Sequence, residues 1–321
     1  MSPPRIDVHV HLAGQGTDNS GCWISPAFRR RPTYLLLRLR HGAGSDPEWA
    51  EMVAARVRAS ELDRAVALGF DAVYDLQGVP DRSRTQMIVP HRWVLEICRR
   101  CPELLPGPSV NPGRRDALEA LEECIEGGAV LIKWLPTVQA IDPAAAANLP
   151  FYRRMAEAGI PLLVHAGGSE QTFAEVAPHL GGVGRLLPAL REGVRVIVAH
   201  SGVPVRIRGD RDELPQLRQM LESFPNLWVD NSGISNPSRF QHLPALARDP
   251  LIVSRTLHGS DFPVPSNAFY YPAALGLRRV AELEAIRNRM QRDIEIKRAL
   301  GYPDEVLTRA ASVLASVDRW L

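Results

Sequence analysis

The sequence predicts an α/β fold of the (β/α)8 TIM-barrel class, with a long insertion after the first strand. Two observations carry the prediction. Short, nearly continuous apolar runs alternate with helical patterns, as expected for parallel strands buried on both faces. Polar residues collect at the C-terminal ends of those runs, the face of a barrel where catalytic groups gather. The 321 residues show no linker and no shift in composition, so 1–321 reads as one domain. Residues 12–69 read as the insertion and as a candidate lid.

Taken in order, Ile6 to His11 is the first strand. Successive strand side chains alternate, so His9 and His11 share a face, half of a divalent-metal site. Ala13 to Gly21 is loop, rich in Gly, Asn, Ser and Asp. Thr33 is the expected N-cap of an apolar helix from Tyr34 to Arg40. Pro47 to Leu68 has helical periodicity through Val53, Val57, Leu62 and Val66, and Gly69 is its stop. The regular alternation follows. Strands are expected at Asp71–Gln77, Leu104–Val110, Val130–Trp134, Ile160–His165, Val194–His200 and Asn226–Asp230, with the last inside Leu251–Asp261. Helices are expected at Trp93–Arg100, Arg114–Glu126, Pro150–Ala158, Gly184–Arg191, Leu214–Phe224 and Leu243–Arg248. Pro272–Leu300 and a C-terminal helix, Pro303–Trp320, close the chain.

Composition excludes several functions. With 45% hydrophobic and 23% charged residues and a net charge of +2, the chain is an ordinary globular one. No basic stripe or RNA-binding motif points to nucleic acid. No apolar run approaches the length of a membrane span. The N-terminus enters a strand with no charged-then-apolar leader, so a cytoplasmic location is the expectation. Cys22, Cys98, Cys101 and Cys124 make no disulfide framework, and Cys98 and Cys101 lack the second pair of a zinc knuckle. They read as reduced bystanders.

The candidate site is a constellation of strand ends. His9 and His11 end strand one, Lys133 strand four, His165 strand five, His200 strand six and Asp261 strand eight. Each alone has a structural explanation, such as a satisfied histidine or a capping aspartate. Together they point to a metal site.

Four segments, Ile6-Asp-Val-His-Val-His11, Leu163-Val-His165-Ala-Gly, Val198-Ala-His200-Ser-Gly and His258-Gly-Ser-Asp261-Phe-Pro, make the chain resemble the amidohydrolase superfamily of metal-dependent barrels. The nearest match is its amidohydrolase-2 branch, with mononuclear zinc decarboxylases and lactone hydrolases. The resemblance implies that His9, His11, His165 and Asp261 bind the metal. His200 then contacts the substrate or completes a second site. Lys133 is either a free cation near the substrate or a carboxylated lysine bridging two metals, and the motif context favours one metal. Zinc suits a nitrogen-rich set with one carboxylate, and manganese or iron would also be accommodated. The branch's usual Asn-Ala pair at the final helix is replaced here by Arg309-Ala310.

The expected chemistry is hydrolysis of an ester, lactone or amide of a small molecule. Asp261 takes and returns the water's proton, and His200 or Lys133 polarises the carbonyl. Two alternatives stand beside it: non-oxidative decarboxylation of an aromatic or unsaturated acid, and an inactive metal-binding barrel. Arginines in Val205–Arg211 would suit an anionic substrate. Cys22, Trp23 and Arg29–Arg31 are expected close to the metal, and Trp134, Phe269, Tyr270 and Tyr271 could line the pocket. No partner protein or membrane is expected; a homodimer is expected by resemblance.

Overall fold

The computed structural model describes residues 3–32, 34–35, 44–205 and 209–321. Thr33, most of the helix expected to Arg40, and Arg206 and Arg208 of the basic loop lie outside the described residues.

Eight parallel strands form the barrel: β1 (Ile6–His11), β2 (Arg64–Leu68), β3 (Leu104–Gly107), β4 (Ile132–Trp134), β5 (Leu162–Val164), β6 (Val196–Val198), β7 (Leu227–Asp230) and β8 (Thr256–Leu257). Regular pairing joins β1 to β3 and β4 to β8. Backbone hydrogen bonds close the two seams. Val130 N donates to Pro106 O (2.8 Å) and Lys133 N to Pro108 O (2.8 Å). At the other seam Val8 N donates to His258 O (2.9 Å) and His11 N to Phe262 O (2.8 Å).

Alternation along the strands sorts two apolar layers. Ile6, Val8, Val66, Leu68, Leu105, Leu131, Leu163, Ile197 and Leu257 fill the lumen, while Ala65, Ala67, Val196 and Val229 face the helices. Each such buried Val or Leu contributes about 1.5–3 kcal/mol. The bottom of the lumen is plugged by Ala310, Val313, Leu314 and Val317. The segment expected as one C-terminal helix is therefore broken into short turns, Glu305–Thr308, Ala310–Val313 and Val317–Arg319, that follow the barrel floor. Pro272–Leu300 is likewise two helices, Pro272–Glu284 and Arg289–Ala299.

The second strand is not where periodicity placed it. Helix α1 (Asp46–Arg58) stops at Ala59, and the expected helix residues Arg64–Leu68 are β2, paired with both β1 and β3. Ala-rich Arg64-Ala-Val-Ala-Leu68 has good helix propensity, and pairing on both sides overrides it. Its alanines face the helix layer and Val66 and Leu68 the lumen, a period of two that the helical spacing of Val57 and Val66 masked. Asp71–Gln77 is accordingly loop. The Asp71 carboxylate accepts Ala72 N (2.7 Å) and Asn111 N (2.8 Å), and Leu76 is fully exposed. The excursion between β1 and α1 thus ends at Ser45, the α1 N-cap, well before residue 69. No described helix is long and apolar enough to cross a membrane.

Candidate metal centre

A β-bulge positions the first two candidate ligands, His9 and His11. Asp7 pairs with Ala65 and Val10 with Ala67, so Val8 and His9 together oppose Val66. The extra residue lets Val8 face the lumen while His9 and His11 both turn into the barrel mouth, the re-aiming that bulges provide beside active sites. Their rings lie edge to face at 5.0 Å. Two further site residues, His200 (φ 55°) and Asp261 (φ 62°), hold left-handed backbone, a strain that persists where surrounding contacts over-determine it. For Asp261 those contacts include its N–H on His9 O (2.9 Å).

Three donor atoms converge. Asp261 Oδ1 lies 3.1 Å from His11 Nε2 and 3.5 Å from His9 Nε2. Burial alone would raise the Asp261 carboxyl, but the His11 hydrogen bond and the charges of His9, His11 and Lys133 hold it below the usual carboxylate range. Burial, followed by the Lys133 charge, drives the His9 imidazole well below its usual pKa and keeps it neutral, as a ligand must be. Gly233 keeps the cradle open: a Cβ there, at φ +58°, would come within 2.5 Å of Asp261 Oδ2. Two imidazoles and a carboxylate at these separations fit a divalent cation.

The residues around the triad fix its tautomers. His9 Nδ1 donates to Asp230 Oδ2 (2.8 Å), leaving Nε2 bare toward the other ligands, the carboxylate–histidine arrangement of metal sites. His200 Nδ1 faces the carbonyl of Ser232 (2.9 Å) and must carry the proton, so its Nε2 is an acceptor. His165 Nε2 faces Gly168 O (3.0 Å) and its Nδ1 faces Glu170 Oε2 (3.3 Å). Lys133 Nζ lies 3.1 Å from His9 Nε2, and burial lowers its pKa to about 8.

A family model of the amidohydrolases matches residues 6–305. The chain belongs to the amidohydrolase family. It is therefore an enzyme of a metal-dependent family. No curated protein matches the chain in sequence. Solved structures share the fold. An uncharacterised TIM-barrel protein from Bordetella bronchiseptica is 15% identical with a TM-score of 0.58, covering 96% of this chain and 99% of its own. A Pseudomonas putida protein described as a 2-pyrone-4,6-dicarboxylic acid hydrolase is 18% identical with a TM-score of 0.56, covering 99% and 97%. The 5-carboxyvanillate decarboxylase of Sphingomonas paucimobilis is 11% identical with a TM-score of 0.54, covering 99% of each chain.

The amidohydrolase mouth gathers all six strand-end residues, but unequally. His9, His11 and Asp261 form one donor group; His9, His200 and Asp230 form a second that shares His9. His165 joins neither, its ring standing edge to face with His200 at 4.9 Å. Asp230, Ser232, Glu170 and Arg239 were not anticipated as site residues. Asp230 ends β7 and obeys the same strand-end rule as the others. Ser232, Glu170 and Arg239 sit in loops where no motif marks them. Several aromatic expectations fail. Trp134 is core, packed on Phe151 and Tyr152 with its Nε1 on Val110 O (2.7 Å). Tyr270 stacks on Phe240 at 4.5 Å, and neither Phe269, Tyr270 nor Tyr271 lines the cavity. The cavity wall comes instead from Ile24, Phe28, Tyr34, Trp49 and Phe173. Arg29, Arg30 and Arg211 are exposed, and neither Cys22 nor Trp23 lines the cavity. All four cysteines are free and buried.

Proposed function

We propose that this amidohydrolase cleaves an ester, lactone or amide of a small, anionic molecule, using one metal ion. The observation that carries the reading is the converging trio of His9, His11 and Asp261 atoms beside a second donor group that is already saturated. Asp230 Oδ1 accepts His200 N (2.8 Å), Ser232 N (2.9 Å) and Ser232 Oγ (2.5 Å), and Oδ2 accepts His9 Nδ1. With those bonds made, Asp230 is an orienter of His9, and the second group is a hydrogen-bond network. This supports one metal, with Lys133 a free amine.

A bound divalent ion, zinc in the first instance, would supply Lewis acidity and bring the pKa of a water down from about 15.7 toward neutrality. His9, His11 and Asp261 would hold it, with His165 the further ligand that the family resemblance suggests. Asp261 takes the water's proton and passes it to the leaving group. Lys133 donates to the carbonyl oxygen as charge develops there. His200 does not share that role, because its only proton is committed to Ser232 O. Decarboxylation remains the competing reading, since relatives of this fold include a named decarboxylase.

The test follows both carbon and acid. Zinc-loaded protein offered a carboxylated aryl lactone such as phthalide-5-carboxylate is expected to release the ring-opened hydroxy acid with no carbon dioxide. Carbon dioxide released from hydroxybenzoates, with esters and lactones untouched, would replace hydrolysis by decarboxylation.

A further inference from the structure

The mouth holds a second cation that the metal chemistry does not use. Arg239 is 3% exposed and lines the same cavity, whose volume is about 330 Å³. Its position is built. The Asn236 side-chain oxygen accepts Ser238 N (2.9 Å), Ser238 Oγ (2.6 Å) and Arg239 N (3.1 Å), an Asx turn that presents the arginine. One guanidinium nitrogen, Nη2, donates to Ser169 O (3.0 Å). Its Nε is buried with no hydrogen-bond partner; the Glu170 and Asp261 charges act on the guanidinium, but no described carboxylate bonds it directly. A buried, unpaired donor costs about 1–3 kcal/mol, more when charged, so such a group is retained where something binds it.

Another part of the cavity wall is apolar. Phe28 and Phe173 stack at 4.7 Å with planes 14° apart, Phe70 lies 4.8 Å behind Phe173, and Ile24 extends the surface. The antiparallel ribbon of Trp23–Ile24 and Met87–Ile88 adds Ile24 and Met87 to this wall. A ligand that satisfies both ends has one anionic group and an apolar body about the size of a ring.

We propose that Arg239 is a specificity-determining residue that binds a carboxylate of the substrate, while the Phe28–Phe173 wall seats an apolar or aromatic body. This rests on reading the cavity as the substrate site and narrows it to monocarboxylates with an apolar body. A planar carboxylate matches the guanidinium edge. A phosphate dianion is disfavoured by the Glu170 and Asp261 charges that face the same guanidinium.

The experiment uses para-fluorophenylacetate and its neutral counterpart, para-fluorophenylacetamide, titrated by fluorine NMR into chelated and zinc-loaded protein. Wild-type protein is expected to bind the acid about tenfold or more tightly than the amide, the worth of a charge-assisted bond. Arg239→Met removes that preference, Arg239→Lys restores part of it, and Phe173→Ala weakens acid and amide alike. Equal binding of acid and amide by the wild type overturns the proposal without reference to any variant. So does acid binding that needs zinc but ignores Arg239→Met, which would put the carboxylate on the metal and leave the hydrolase reading intact. Competition by inorganic phosphate as strong as by the acid also overturns it. Arg239-dependent binding in a protein that neither holds zinc nor hydrolyses esters supports the carboxylate site while the hydrolase reading fails.

Discussion

Asp261→Asn is expected to fold normally and to lose turnover by about 10²–10⁴-fold, the range for removing a positioned general base. Asparagine keeps the shape of the side chain and is tolerated at positive φ, which the 62° at this position demands. What disappears is the charge between His9 Nε2 and His11 Nε2, 3.5 and 3.1 Å away. The variant should retain the wild-type thermal transition in the absence of metal and show the loss in steady-state rates. Turnover within tenfold of wild type would remove Asp261 from the chemistry and return the proton-transfer role to another group.

The largest stability effect is expected below the site. Lys297 is 2% exposed and pairs with the fully buried Asp293; its ammonium also donates to Gly259 O (2.7 Å). Ser235 Oγ (2.6 Å) and Ser266 Oγ (2.8 Å) complete the shell of Asp293 Oδ1. The network ties the helix Arg289–Ala299 to two loops of the mouth, the one after β7 that holds Ser235 and the one after β8 that holds Gly259-Ser260-Asp261 and Ser266. Lys297→Met leaves a buried carboxylate unpaired and is expected to cost about 3–5 kcal/mol in urea unfolding. Adding Asp293→Leu should recover much of that loss, because replacing both members of a buried pair is far milder than breaking it. A single-variant cost below about 1 kcal/mol would mean that the pair is not buried as described.

The barrel was legible because its strands are nearly continuous apolar runs and their polar residues sit at the ends. That rule located His9, His11, Lys133, His165, His200 and Asp261 in one mouth. It failed at β2, where Ala65 and Ala67 face the helix layer and give the run a helical look; only pairing with β1 and β3 decides the matter. The same rule applied to Asp230 would have found the orienter of His9, but an aspartate at a strand end resembles a turn residue until its partner, 221 positions away, is known. Arg239 and Glu170 had no such signal. Their placement depends on loop conformation, the Asx turn at Asn236 in one case and backbone bonds from Gln171 and Thr172 in the other. Loops set the chemistry of the pocket wall, and local sequence patterns do not encode how a loop packs. The bulge at Val8 and His9 belongs with these. It leaves no mark in the sequence, yet it lets two histidines and Val8 face inward together.

The central claim is a single metal held by His9, His11 and Asp261 with Asp230 behind them. Metal content per chain of zinc-reconstituted protein, by elemental analysis beside Asp230→Asn, measures it most directly. One zinc per wild-type chain is expected, with affinity about 10–100-fold weaker in Asp230→Asn, the usual consequence of losing a histidine's carboxylate partner. Two zinc ions per chain, with Lys133 carboxylated, would contradict the single-metal reading; none after reconstitution would contradict the metal centre itself.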